Sequence, residues 1–347
     1  MPIFASAAYN RAYMQECGKA LYLHYPPLWV TLGIIGACPY RCLFCAYHSL
    51  DARFGNSNVY NIKYIMPYTI FTRLVDFFHA GGVPRIHVCA SGEPLLHPDF
   101  LKMLDYIILK YGSVSFQSNF DKNIIEKKRI IHEIIIRQKN ISMITTDIIG
   151  NDDIKKGGNE RNLYNVLKIL SETSIPVIRG QFLITKSNYQ DLESIIYALY
   201  QHNIRLNLIA SVVFPHAFNA FTSIENKFKL DDMGMADFLG KMQMLAQRLR
   251  IRLFIQNSLP SCPAFWQKFQ IWPTSASDPT RLYENIIPHA CNAVVKGNMY
   301  SLGYVFDYNN IFELWNNDAF IHIRKSIIEG IYPDAKCRAC PYAENLN

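Results

Sequence analysis

An alternation constrains this chain more than any other feature. From about residue 28 to 213, short runs rich in β-branched residues alternate with longer helical patterns, the signature of a parallel β/α fold. Strands are predicted at Trp29–Ile35, Arg85–Ala90, Val114–Ser118, Ile141–Asp147, Pro176–Leu183 and Arg205–Val213. Helices are predicted between them at Ile65–His79, Asp99–Lys110, Asn123–Arg137, Leu163–Glu172 and Tyr189–Gln201. Six such units make an α/β fold, an open, partial (β/α)6 barrel of the TIM type. Half of the 347 residues are hydrophobic, enough for a sizeable core. Ala217–Leu230 reads as a loop, Asp231–Arg250 as a helix and Ile251–Ile255 as a further strand. Beyond about residue 256 the character changes: four of the nine cysteines and three of the four tryptophans lie there. The organisation is thus an N-terminal extension (1–27), a partial barrel (28–215), a connecting segment (216–255) and a small C-terminal module (256–347).

Three cysteines follow the first strand: Cys38, Cys42 and Cys45, spaced C-x3-C-x2-C. They stand at the C-terminal edge of the strand, where such barrels place chemistry. A [4Fe–4S] cube is usually held by four thiolates. Three on one short loop hold three irons and leave the fourth for a small chelating molecule. The same trio, completed by His48, also suits a zinc knuckle. The N-terminus, Met1-Pro2-Ile3-Phe4-Ala5, has no charged region leading into an apolar stretch, so it does not read as a signal peptide. Nine cysteines in that context point to thiolate ligands in a reducing cytoplasm, not to disulfides. No apolar run reaches the length of a membrane span. The net charge of +7 is spread along the chain, and its densest cluster, Lys127-Lys128-Arg129, reads as a solvated helix face. It gives no nucleic-acid footprint, though it is compatible with an anionic or acidic substrate.

A second motif follows the second strand: Ser91-Gly92-Glu93-Pro94, within the run from Cys89 to Asp99. Gly-Glu-Pro alone is an ordinary turn. Joined to the cysteine trio, to Phe44 before the third cysteine and to the strand–helix order, it resembles the radical S-adenosylmethionine (radical SAM) superfamily, over residues 28–342. The resemblance implies that Cys38, Cys42 and Cys45 hold a [4Fe–4S] cluster whose open iron binds the amino and carboxylate groups of S-adenosylmethionine (SAM). The reduced cluster then cleaves SAM to a 5′-deoxyadenosyl radical. It implies that Ser91, Gly92, Glu93 and Pro94 line the methionine end, with Gly92 allowing close approach and Glu93 pairing with the ammonium. Ser91 departs from the usual glycine. Ser118 and Asn119 then touch the ribose or carboxylate, Arg179 and Gln181 face inward from the fifth strand, and Tyr47 lies near the adenine. For each of these the alternative is a satisfied barrel residue.

The C-terminal module offers Cys262, Cys291, Cys337 and Cys340, the last two as a C-x2-C pair. Four thiolates suit a second, fully ligated [4Fe–4S] cluster, or structural zinc. The segments Gly297–Tyr300 and Asn310–Asn316, with Glu313-Leu314-Trp315-Asn316 before a helix that carries Arg324, resemble the SPASM/twitch extension of radical SAM enzymes. Leu302 stands where a cysteine often follows the glycine, so one auxiliary cluster, twitch-like, is implied.

The function so implied is hydrogen abstraction from a peptide or protein, ending in oxidation, a crosslink or epimerisation. The alternative is a dehydrogenase or epimerase of an aminosugar or aminocyclitol. An alternative of another class is a zinc-stabilised, non-catalytic binding protein. The enzyme readings call for a reductant such as flavodoxin or ferredoxin, and the peptide reading allows a separate peptide-recognition protein. Cys89, on the second strand, is either a hydrogen donor to a substrate radical or a small buried hydrophobe.

Overall fold

The alternation builds one sheet. In a computed structural model of the chain, the described residues are 20–40, 64–89, 92–121, 129–148, 160–184, 188–212, 233–257, 268–271, 281–288, 294–295, 298–299 and 302–329. Strands β1 (Trp29–Gly33), β2 (Ile86–Cys89), β3 (Val114–Gln117), β4 (Ile141–Asp147), β5 (Val177–Ile184), β6 (Asn207–Val212) and β7 (Arg252–Asn257) lie side by side in chain order, each parallel to the next. The predicted six strands are all present, and Ile251–Ile255 supplies the seventh. β7 does not pair with β1. Instead β8 (Lys268–Ile271) pairs parallel with β1, and β9 (Ile286–Pro288) antiparallel with β8. The sheet therefore stays open as a partial barrel, as the alternation predicts.

The helices between strands form because their apolar residues recur on one face. Helix α1 (Tyr68–Ala80) buries Phe71, Leu74, Val75 and Phe78, and α2 (Phe100–Tyr111) buries Phe100, Met103, Leu104 and Ile107. Both sets fall at i, i+3, i+4 and i+7. Each such side chain stabilises the fold by ~1.5–3 kcal/mol relative to exposure. Helix α2 stops at Gly112, whose φ of 71° closes the last turn in the left-handed region. Helix α1 starts three residues later than predicted. Ile65 pairs with Ile35, and the Met66 amide donates to the Ile34 carbonyl, so these apolar residues are extended chain. Pro67 then opens the helix. Four more helices complete the barrel's described part: α3 (Ile130–Ile136), α4 (Glu160–Ser171), α5 (Asp191–Gln201) and α6 (Met233–Arg248). The first half of the predicted helix Asn123–Arg137 lies outside the described residues up to Lys128.

Along β5 burial alternates strictly, with Ile178, Gly180, Phe182 and Ile184 on the buried face. The opposite faces of β2 and β3 carry polar pairs across the strands. His87 Nδ1 lies 3.0 Å from Ser115 Oγ, and the Cys89 thiol donates to Gln117 Oε1 at 3.6 Å. This polar face lines the barrel lumen.

The C-terminal part is fastened to both the barrel and the segment before it. Helices α7 (Ile311–Trp315) and α8 (Asp318–Ile328) follow a short turn in which the Phe306 ring meets Phe77 edge-on at 6.2 Å and lies under the Arg73 guanidinium at 4.1 Å. Fully buried Arg324 on α8 donates to the Leu21 and Trp315 carbonyls at 3.1 and 2.7 Å and stacks on the Trp315 ring at 4.7 Å. Asn316 exchanges two hydrogen bonds with the Leu23 backbone, at 2.7 and 2.9 Å, as a neighbouring strand would. The expected boundary after residue 255 falls inside β7, and β8 and β9 belong to the barrel sheet. Among the described residues no helix is long and apolar enough to cross a membrane.

Candidate active site

The site is where the loops after β1, β2 and β3 meet at the C-terminal edge of the sheet. The β1 loop leaves the sheet at Ile34 and returns at Tyr64, and its two ends are cinched. The Gly36 amide donates to the Tyr64 carbonyl and Met66 to Ile34, both at 2.9 Å. His97 fixes the return from the other side. Its Nδ1 accepts from the Asp99 amide at 3.0 Å, so Nε2 carries the proton and donates to the Met66 carbonyl at 2.9 Å. Cys38 stands half-buried on the outgoing limb of this loop. Cys42, Cys45, His48 and Tyr47 lie outside the described residues.

The β2 loop packs directly on that limb. The Gly92 amide donates to Ile35 at 3.3 Å and the Glu93 amide to Ala37 at 2.8 Å. A Cβ at Gly92 would lie 1.8 Å from the Ala37 carbonyl oxygen, so no other residue fits there. This backbone contact, one residue from Cys38, explains why the motif needs glycine at 92. Ser91 lies outside the described residues. Pro94 starts a single turn of 3-10 helix (Pro94–Leu96), which Glu93 caps by accepting from the Leu95 amide at 3.2 Å.

Glu93 is fully buried, and both its oxygens serve the protein. Oε1 also accepts from the Ser118 hydroxyl at 2.7 Å, and Oε2 from the Asn119 amide at 2.8 Å. The expected partner of this carboxylate was the methionine ammonium. What it holds in the structure is the β3 loop. Ser118 in turn donates its amide to Thr145 at 2.9 Å, and its hydroxyl accepts from the Phe120 amide at 2.9 Å. The Asn119 side-chain carbonyl accepts from Asp147 at 3.4 Å. The chain then turns sharply: Phe120, buried, has φ 52°, in the left-handed region that glycine favours. Ser118 and Asn119 are thus brought together with Gly92 and Glu93.

A further contact joins the first and third loops. Tyr40, between Cys38 and Cys42, donates its hydroxyl to Asp121. Both side chains are buried, at 5% and 7% exposure. Burial, then the Asp121 and Glu93 carboxylates, push the Tyr40 hydroxyl far above the usual phenol range, so it remains a donor.

One layer below, strand register places Gly33, Cys89, Gln117, Thr145, Arg179 and Asn207 across the lumen. Arg179 faces it half-buried, and its Nε is enclosed with no hydrogen-bond partner among the described residues. Burial lowers its pKa, as it does for a cation awaiting an anion. Gln181 shares its face one step further along β5. His87, Ser115 and Gln117 were not singled out in the sequence; their alternation with Ile86, Val88 and Phe116 is the signal that puts them in the lumen.

The residues described here fit an iron–sulfur and SAM site. A thiol stands at the lip, a backbone edge too tight for any side chain runs beside it, and an enclosed guanidinium atom without a partner lies within the lumen. All four cysteines expected to hold a second cluster, Cys262, Cys291, Cys337 and Cys340, lie outside the described residues. Leu302, at the position where a cysteine often follows the glycine, is a buried core side chain.

Comparison with known proteins agrees with this geometry. Residues 32–198 match the family model described as the radical SAM superfamily. Among solved structures, SuiB of Streptococcus suis superposes with a TM-score of 0.63 at 14% identity, over 91% of this chain and 71% of that one. Native anSMEcpe with bound AdoMet superposes with a TM-score of 0.59 at 13% identity, over 90% and 86%. At these identities the likeness is one of fold. Comparison with curated proteins gives no match. The family match runs from the end of β1 into α5 and takes in all three loops of the junction, so this part of the chain is similar to a radical SAM domain.

Proposed function

We propose that this protein is a radical SAM enzyme that abstracts a hydrogen atom from a peptide or protein substrate and so matures it. The observation that carries the reading is the three-loop junction, in which Cys38, Gly92, Ser118 and Asn119 are gathered at one sheet edge inside the region that matches the radical SAM family. Cys38, Cys42 and Cys45 hold the [4Fe–4S] cluster. When bound, the cluster and SAM supply a 5′-deoxyadenosyl radical. Gly92, Pro94, Ser118 and Asn119, with Ser91 and Tyr47, line the SAM pocket. Glu93 keeps the β3 loop in place, and Arg179 offers its enclosed guanidinium to a carboxylate.

The sheet stays open, with β7 and β9 at opposite ends of its nine described strands. The aminosugar or aminocyclitol reading shares every residue of the SAM pocket and differs only in the substrate. Cys262, Cys291, Cys337 and Cys340 would hold an auxiliary [4Fe–4S] cluster, which would supply one-electron redox chemistry. A reductant of the flavodoxin or ferredoxin class supplies the first electron, and a separate peptide-recognition protein delivers the substrate in the cytoplasm.

Anaerobically purified protein is expected to contain roughly eight irons and eight sulfides per chain, the sum for two clusters. Replacing Cys38, Cys42 and Cys45 together by alanine should leave half. A triple variant with full iron content, or a colourless wild-type protein carrying zinc, would overturn the assignment and favour a non-catalytic binding protein. Turnover in deuterated water then separates the outcomes. Oxidised product without solvent deuterium at carbon supports electron loss to the auxiliary cluster. A product that gains one deuterium at carbon, with the gain abolished by Cys89→Ala, makes Cys89 the donor and the enzyme an epimerase.

A further inference from the structure

The contact between Tyr40 and Asp121 does something that neither the cysteine spacing nor the Gly-Glu-Pro motif requires. Tyr40 sits midway along the first cysteine interval, two residues from Cys38 and two from Cys42. Its ring is buried, and its hydroxyl donates to a carboxylate that is itself buried. The chain bears two local penalties at this point. Asp121 is taken out of water close to a second buried carboxylate, Glu93, since both act on the same tyrosine hydroxyl. Phe120, the residue before it, adopts a left-handed backbone at φ 52°, a conformation that a bulky residue adopts only when its surroundings enforce it. An apolar pair of similar volume would fill the space without burying a carboxylate. What the polar pair adds is direction. A buried hydrogen bond to a carboxylate fixes the rotation and height of the tyrosine, hence of the backbone that carries the cysteines.

We propose that Tyr40 and Asp121 form a latch that positions the cluster-binding loop over the SAM pocket. Glu93 fixes the β3 loop to the β2 loop, and the Tyr40–Asp121 bond fixes the β1 loop to the β3 loop, which closes the triangle. Cys38, Gly92 and Ser118 are then set relative to one another by three contacts instead of two. Both residues are positioning residues and touch no reacting atom. The inference rests on the radical SAM reading above.

The test uses full-length protein with reconstituted clusters and three single variants: Tyr40→Phe, which keeps the ring and removes only the hydroxyl, Asp121→Ala and Asp121→Asn. Iron content, the dissociation constant for SAM and the change that SAM induces in the reduced cluster's electron paramagnetic resonance spectrum are measured for each. Tyr40→Phe and Asp121→Ala are expected to retain iron, to bind SAM about tenfold more weakly and to lose most of the SAM-induced spectral change, in keeping with loss of a hydrogen bond to a charged group. Asp121→Asn still presents a carbonyl to the hydroxyl and should stay within about threefold of the wild type. The double variant Tyr40→Phe/Asp121→Ala should be no worse than either single variant, because the two act through one bond. Wild-type affinity and an unaltered spectrum in Tyr40→Phe and Asp121→Ala would overturn the latch alone. So would effects that add in the double variant. A wild-type protein that neither holds iron nor binds SAM would overturn the latch together with the reading on which it rests.

Discussion

Two buried charges organise this molecule, and they do different work. Glu93 at the barrel edge and Arg324 in the C-terminal segment are both fully buried. Each is wrapped in hydrogen bonds, Glu93 by the Leu95 amide, the Ser118 hydroxyl and the Asn119 amide, Arg324 by the Leu21 and Trp315 carbonyls and the Asn316 side chain. Glu93 joins loops at the end of parallel strands, where the thiol of Cys38 and the lumen open. Arg324 joins the segment before β1 to helices α7 and α8, against the rings of Trp315 and Phe320. A buried, hydrogen-bonded charge is therefore a fastening first. Whether it serves chemistry depends on what it fastens.

That contrast breaks or stands by substitution. Arg324→Ala has the largest expected effect. It strands two carbonyls, removes the stacking on Trp315 and leaves a cavity where a large side chain was, and should lower stability by ~3–5 kcal/mol. Thermal unfolding of the purified variant measures this, and the folded fraction should bind SAM with wild-type affinity. Glu93→Ala leaves the Leu95 and Asn119 amides and the Ser118 hydroxyl without their acceptor, for a loss of about 3 kcal/mol. Here SAM affinity must fall as well, with cluster content intact, measured by titration and iron analysis. Equal SAM affinity in both variants would erase the distinction. Asn316→Ala removes the paired bonds to Leu23 and should cost about 2 kcal/mol in thermal unfolding, without effect on SAM. The smallest effect belongs to Asn310, whose side chain caps α7 by accepting from the Phe312 and Glu313 amides at 2.9 and 3.0 Å. Asn310→Ala should cost about 1 kcal/mol, visible only as a shift in denaturant midpoint.

Much of this was legible in the sequence because it is local. The strand–helix alternation specified the sheet, and the i, i+3, i+4, i+7 spacing in α1 and α2 specified their buried faces. The start of α1 was misread because Ile65 and Met66 continue an apolar pattern that, in space, belongs to a bridge with Ile35 and Ile34. The strand β8 was missed because four residues beside β1 carry no periodicity of their own. Cys38, Gly92, Ser118 and Asn119 were readable as motif residues. The hold of Glu93 on the β3 loop was not, since its partners there come from a different loop and nothing in the linear order marks Ser118 as its donor. Tyr40 and Asp121 were invisible for the same reason. Asn316 and Arg324 stand out in the sequence, but the residues they hold, Leu23 and Leu21, stand at the other end of the chain. Pairings between distant segments are set by the fold, and a linear pattern records only one side of each.

The central claim is that the loop carrying Cys38, Cys42 and Cys45 holds a cluster that cleaves SAM. The most direct measurement is 5′-deoxyadenosine formed by anaerobically reconstituted protein with SAM and dithionite, compared with the Cys38→Ala/Cys42→Ala/Cys45→Ala variant. The account predicts 5′-deoxyadenosine from the wild type and none from the variant. Iron-loaded wild-type protein that makes no 5′-deoxyadenosine, or a triple variant that makes as much, would contradict it.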